Sequence, residues 1–202
     1  MLLPTPLAQD EALRALEEIR AVVDRSARYS TFSALSGFIA AGAAFLGSGV
    51  CGAFPDFVGA RTQEGWSFVA VWAGVLAVAG LAAAIFTTLK ARRRGEAVWT
   101  PIARTAFAAL LGPGLAGMAG SVVLAWLGRF ELLPGLWLLL YGCGLWGVSF
   151  FAPLFLRVLG VAFVLLGLCA WSKMECPALW LGLGFGGLHC VFGAVVLARY
   201  HK

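Results

Sequence analysis

Six apolar runs, separated by short polar or basic stretches, occupy most of the chain: approximately 31–53, 67–89, 101–127, 134–151, 153–172 and 177–198. A bilayer core of about 30 Å needs roughly 20 predominantly apolar residues in helix, and each run is about that long. The runs are apolar on every side instead of alternating, so helices rather than barrel strands satisfy their backbones in lipid. The pattern predicts an all-α fold, a polytopic membrane bundle of six transmembrane helices.

A different periodicity precedes the first run. Between Asp10 and Arg28, Ala12, Leu16, Ile19, Val23 and Ala27 recur at spacings of four, three, four and four, which is one face of an α-helix. Residues 1–30 are therefore read as an N-terminal cytoplasmic amphipathic helix, and 31–202 as the six-span domain. Helices that lie on lipid are rich in Lys and Arg, whereas this one mixes five acids with four arginines. Its apolar face, with Leu16, Ile19 and Val23, is expected to pack on the protein's own cytoplasmic surface or on a partner. The segment lacks the basic start and small-residue exit of a cleavable signal, so the N-terminus is expected to be retained.

Basic residues orient the spans. With the N-terminus inside, the inner segments carry Arg14, Arg20, Arg25, Arg28, Lys90, Arg92, Arg93, Arg94, Arg104, Arg157, Arg199 and Lys202, twelve of the fifteen cations, leaving Arg61, Arg129 and Lys173 outside. The positive-inside bias of short loops then predicts a bacterial cytoplasmic (inner) membrane protein with both termini cytoplasmic. Helix punctuation agrees: Thr100-Pro101 reads as a cap and first helical position, and Pro153 and Pro177 as starts of the fifth and sixth spans. Pro113 sits inside the third run and is expected to kink or locally open it, freeing a carbonyl. Such breaks build substrate sites in some transporters, although packing kinks are commoner.

Composition sharpens the class. Of 202 residues, 61% are hydrophobic and 12% charged, against norms of roughly 45–50% and about 25% for soluble domains. The net charge of +5 fits basic loops at a membrane rather than a nucleic-acid surface, so no nucleic-acid partner is expected. Small residues spaced by four, Gly37 with Ala41, Gly112 with Ala116 and Gly120, and Gly182 with Gly186, suit close helix packing, either within one bundle or in a homo-oligomer.

Candidate chemistry is sparse. His189 is the one ionisable side chain deep within a run, which makes it a functional candidate by default. It can pack and hydrogen-bond a neighbouring helix, receive a ligand or proton, or bind a cofactor, although bis-His haem would need a second subunit. Pro113 and His189 are the candidate ligand or helix-contact residues. Lys90, Arg92, Arg93, Arg94, Arg104 and Arg157 are candidates for a cytoplasmic lipid or polar cluster, with snorkelling the plainer role for Arg104 and Arg157. Cys51 and Cys176, both expected near the outer face, form a possible disulfide if the first and third hairpins are neighbours. No nucleophile–base pair, phosphate loop, metal motif or paired-carboxylate site is present, and all ten acids fall outside the runs. No catalytic residue, metal or cofactor is predicted.

The string from Arg25 to Gly37 (RSARYSTFSALSG), together with Trp99, Arg104, Pro113, Arg157, Leu159-Gly160 and Gly184-Phe185-Gly186-Gly187-Leu188-His189, resembles an uncharacterised family of bacterial six-span integral membrane proteins. The resemblance spans nearly the whole chain. It implies the bacterial inner membrane and six spans and transfers no activity or site residue. The expected function is that of a non-enzymatic accessory or regulatory subunit working through membrane lipids and a membrane or cytoplasmic protein partner. The alternatives are a small transporter or ligand-binding protein with its site near Pro113 and His189, or a cofactor-binding membrane enzyme or subunit.

Overall fold

The computed structural model describes residues 11, 13–18, 33–54, 62–95, 97–150 and 152–200. The chain forms two compact units, Met1–Ser30 and Thr31–Lys202. In the first, residues 13–18 are helical, and Leu13 and Leu16 are exposed. Ile19 and Val23, the rest of the expected partner face, lie outside the described residues.

The second unit holds the six apolar helices: α1 (Ala34–Ala53), α2 (Thr62–Arg94), α3 (Pro101–Trp126), α4 (Leu133–Val148), α5 (Phe155–Ser172) and α6. The last begins as Pro177–Leu181, passes through a π-helical stretch at Gly182–Leu188 and ends as His189–Tyr200. All six are long and apolar enough to cross a membrane, and no strand occurs among the described residues. The chain is thus an all-α, multi-pass membrane protein.

Local chemistry explains where the helices stop. Thr100 caps α3, its Oγ1 accepting from the Ala103 N–H at 3.1 Å, and Pro101 follows at the first position. The same helix closes on Gly128 at φ 67°, with Gly128 N–H donating to Ala125 and Arg129 N–H to Leu124, the paired bonds of a Schellman motif. At 33 residues α2 outruns the apolar stretch expected at 67–89. Its polar ends continue in helix beyond the hydrocarbon because Gln, Glu, Lys and Arg are good helix formers. Pro153 precedes α5 instead of opening it, and its carbonyl accepts from Leu156 N–H at 3.0 Å.

In lipid the helices gain little from hydrophobic exclusion, so backbone proximity and van der Waals contact hold the bundle. α4 and α5 make the most extensive contact. A Cβ built on Gly142 would stand 2.6 Å from the Gly160 carbonyl oxygen, and one on Gly160 2.9 Å from that of Gly142, so the two backbones touch. α1 lies against both α2 and α6. At the second of these seams Gly37 meets Phe192, Gly182 meets Ser48 and Gly186 meets Phe45. Two of the small-residue pairs seen in the sequence therefore serve packing within the bundle. α6 also touches α4 and α5, while α3 packs chiefly on α4 and barely meets α2.

Candidate functional site

A tyrosine–histidine pair inside the bundle grows from α4 and α6. Tyr141 projects from α4 and His189 from the end of the π-helical stretch, and the Tyr141 hydroxyl lies 2.9 Å from His189 Nε2. Four of the seven residues in that stretch are glycine, and small residues permit the widened turn. Isolated π turns recur at functional sites. Here the π segment immediately precedes the imidazole, which enters a ring cluster. Phe163 and Phe185 stand edge-on to Tyr141 at centroid distances of 4.8 and 5.2 Å, and Phe192 lies 6.5 Å from His189.

One nitrogen of this imidazole has no partner. The Phe185 carbonyl approaches the ring, yet Nδ1, which is closed off from solvent, makes no hydrogen bond. If Tyr141 donates to Nε2, Nδ1 carries the proton and has only the poorly aligned Phe185 carbonyl near it; if Nε2 donates to Tyr141, Nδ1 is a bare acceptor. The Trp72 indole N–H likewise lacks an oxygen or nitrogen acceptor and meets only the weakly accepting Cys51 thiol. Both orphaned atoms belong to rings that flank Phe185, at 6.3 Å for Trp72 and 6.1 Å for His189. The ring contacts continue from Trp72 to Phe68 and on to Trp137, whose Nε1 donates to Ser121 Oγ of α3 at 2.8 Å.

Of the two roles expected for Pro113, the structure shows the helix contact. α3 remains α-helical through it, so the local opening is absent. The ring instead packs toward α4, where a Cβ built on Gly144 would lie 3.8 Å from Pro113 Cβ. Proline deprives the Ala109 carbonyl of its usual donor, and Gly147 of α4 comes close to that oxygen. The neighbouring helix thus covers the break that would otherwise have opened a site. His189 and Pro113 use separate neighbours on α4, and the structure does not join them into one pocket.

The basic residues of the expected cytoplasmic cluster differ in their surroundings. Arg92, Arg93 and Arg104 are exposed and Lys90 is half-buried. The side chain of Arg94 lies outside the described residues, as does Glu96. The one ion pair among the described residues joins Arg129 to Glu131. Arg157 is held by the C-terminal end of α4 and the turn after it: its guanidinium carbon sits 5.6 Å from the Trp146 ring centre and 5.0 Å from that of Phe150, and its Nε donates to Ser149 Oγ at 3.3 Å. Cys51 is buried, Cys176 is exposed, and both are free thiols. The first and third hairpins are neighbours, with Ser48 Oγ donating to the Ala178 carbonyl at 2.8 Å. Cys51 nevertheless turns into the core toward Trp72, which is why no disulfide forms.

The third small-residue set divides between two environments. Gly120 faces α4, with Leu136 Cδ2 2.9 Å from a built Cβ, but Gly112 has nothing within 4 Å. Gly112 falls on an exposed stripe with Thr105, Ala108, Ala116 and Ala119, spaced three, four, four and three residues apart along α3. This helix is the least buried of the six spans.

Sequence reasoning overlooked Tyr141 and Ser149. Tyr141 was legible in principle: it is the one tyrosine within an apolar run, and a phenol and an imidazole in hydrocarbon each need a polar partner. Among the described residues, no group of three or more His, Cys, Asp or Glu side chains is placed to hold a metal ion. No protein-family model matches the sequence, and neither a curated protein nor a solved structure matches it.

Proposed function

We propose that this chain is an accessory or regulatory subunit of a bacterial cytoplasmic membrane, with both termini inside, that works by contact with another transmembrane helix rather than by catalysis. The observation that carries this is the stripe Thr105, Ala108, Gly112, Ala116 and Ala119 on α3. Such faces let helix backbones approach closely in lipid, where van der Waals contact is the main source of association. The comparable faces of α1 and α6 are used up inside the bundle, and this one is open. The membrane assignment and orientation rest on the twelve-to-three division of cations and on the family resemblance of the RSARYSTFSALSG string.

Leucine at Gly112 and Ala116 tests the proposal. Nothing lies within 4 Å of a Cβ at Gly112, so the double variant should fold and melt like the parent while blocking approach of a partner helix. In mild detergent extracts of the source membrane, native gels should show a larger assembly for the parent and a smaller one for the variant. Equal size for both would refute the α3 contact, and a parent assembly containing only this chain would make the partner a second copy.

The two orphaned polar atoms beside Phe185 favour a second reading, a small ligand-binding or transport protein whose site centres on His189 and Tyr141 rather than on Pro113. A polar ligand that satisfied Nδ1 would bind less tightly to His189→Phe.

A further inference from the structure

Beside the glycine contact of α4 and α5 runs a groove of about 270 Å³, lined by Cys143 and Trp146 of α4 and Val161, Val164 and Leu165 of α5, with almost no polar surface. It is too small to enclose a drug-sized molecule, for which pockets of roughly 300–1,000 Å³ are usual. It is open along one side, as suits a chain whose other flank stays in the bilayer. On α5 the lining residues lie on a stripe that starts at Arg157, since Arg157, Val161, Val164 and Leu165 are spaced as i, i+4, i+7 and i+8. On α4 and the turn that follows it the matching residues are Cys143, Trp146 and Phe150, and the last two are the rings that hold the Arg157 guanidinium.

Arg157 is fixed in place, and no described residue answers its charge. Two aromatic faces and the Ser149 hydroxyl position it, and Ser149 Oγ is itself anchored on the Trp146 carbonyl at 2.6 Å. No carboxylate pairs with it among the described residues, and its two Nη groups have no hydrogen-bond partner there. A planar guanidinium with its Nη edge unused is the usual receptor for a phosphate. It stands in the first turn of α5, near the end of a span, where arginine reaches headgroup level.

We propose that this is a binding site for one anionic phospholipid, with an acyl chain in the Trp146–Val161–Leu165 groove and the headgroup phosphate on the Nη edge of Arg157. It goes beyond the partner-helix proposal and does not depend on it, because the stripe of α3 takes no part. The aromatic clamp suits arginine better than lysine: the plane stacks on Trp146 and Phe150 while its edge donates.

The test is native mass spectrometry of the delipidated full chain titrated with phosphatidylglycerol or with phosphatidylcholine of identical acyl chains. The parent should bind one phosphatidylglycerol about tenfold more tightly than phosphatidylcholine, whose identical phosphate is offset by its own choline ammonium and so offers the guanidinium no net charge. Arg157→Leu should abolish the preference, and Arg157→Lys should keep only part of it. Leu165→Trp, which fills the groove at an exposed position, should weaken both lipids alike. Inorganic phosphate in excess should leave the lipid bound. Equal affinity of the parent for the two lipids, a preference that survives Arg157→Leu, or displacement by inorganic phosphate would each overturn the proposal. Melting curves of the three variants within a few degrees of the parent keep a folding defect from being read as loss of binding.

Discussion

Replacing Gly142 or Gly160 by alanine adds one methyl group where two backbones already touch. At Gly142 the new Cβ would meet the Gly160 carbonyl oxygen at 2.6 Å and Val164 N at 2.9 Å; at Gly160 it would meet the Gly142 carbonyl oxygen at 2.9 Å and Trp146 N at 3.0 Å. These neighbours are main chain and have no rotamer by which to yield. Restoring ordinary contact near 3.4 Å requires α4 and α5 to part by roughly 0.8 Å for Gly142→Ala and about 0.5 Å for Gly160→Ala. A gap of 0.5–1 Å forfeits about a quarter to a half of each contact's dispersion well, which is itself about 0.1–0.2 kcal/mol per atom pair. Over the few tens of pairs along such a seam the loss is about 1–3 kcal/mol, the range seen for overpacked cores. Alanine's better helix propensity recovers up to about 1 kcal/mol of that. We therefore expect Gly142→Ala to be the more damaging and Gly160→Ala the milder. Gly112→Ala, whose Cβ meets nothing within 4 Å, should be neutral or slightly stabilising. Thermal unfolding in one mild detergent, followed by tryptophan fluorescence, should rank the midpoints Gly112→Ala, parent, Gly160→Ala, Gly142→Ala, with several degrees between the extremes. Gly142→Ala melting level with Gly112→Ala would refute the close approach of α4 and α5.

Tyr141→Phe removes the hydroxyl and leaves both imidazole nitrogens of His189 without a partner, so it should destabilise by about 1–2 kcal/mol. Tyr141→Phe combined with His189→Phe should recover part of that loss, and unfolding of the two variants measured side by side checks it. Thr100→Ala should cost about 1 kcal/mol through loss of the α3 cap, read in the same unfolding assay. With both termini cytoplasmic, the exposed thiol of Cys176 should react with a membrane-impermeant maleimide added to intact cells while the buried Cys51 stays unmodified; labelling of Cys176 only after permeabilisation would reverse the orientation.

The six spans were legible because an apolar run of about 20 residues in lipid has one outcome, a helix that satisfies its own backbone. Helix ends were legible where a side chain dictates them, as at Thr100-Pro101 and Pro177. The polar stretches that extend α2 were harder to read, because a helix outside the hydrocarbon continues on propensity alone. The intramembrane histidine was legible as a position, but its partner depends on which helices meet. Tyr141 lies 48 residues away in sequence, and nothing local selects it. Which of its two expected roles Pro113 takes could not be read for a related reason. A missing N–H predicts an orphaned carbonyl, and only the packing of α4 shows that Gly144 and Gly147 close over it. Arg157 was grouped with the other basic residues by charge, whereas its surroundings are two rings and a serine that charge patterning does not register. Among the small-residue pairs, spacing alone did not separate those consumed inside the bundle from Gly112 and Ala116, which remain open.

The most direct test of the accessory-subunit proposal is native mass spectrometry of the tagged chain, extracted gently from its own source membrane. We expect a reproducible additional protein mass that is lost when Gly112 and Ala116 are both leucine. A chain that carries only lipid, a small molecule or nothing, in the parent as in the variant, would contradict the proposal and shift the function to the Tyr141–His189 site.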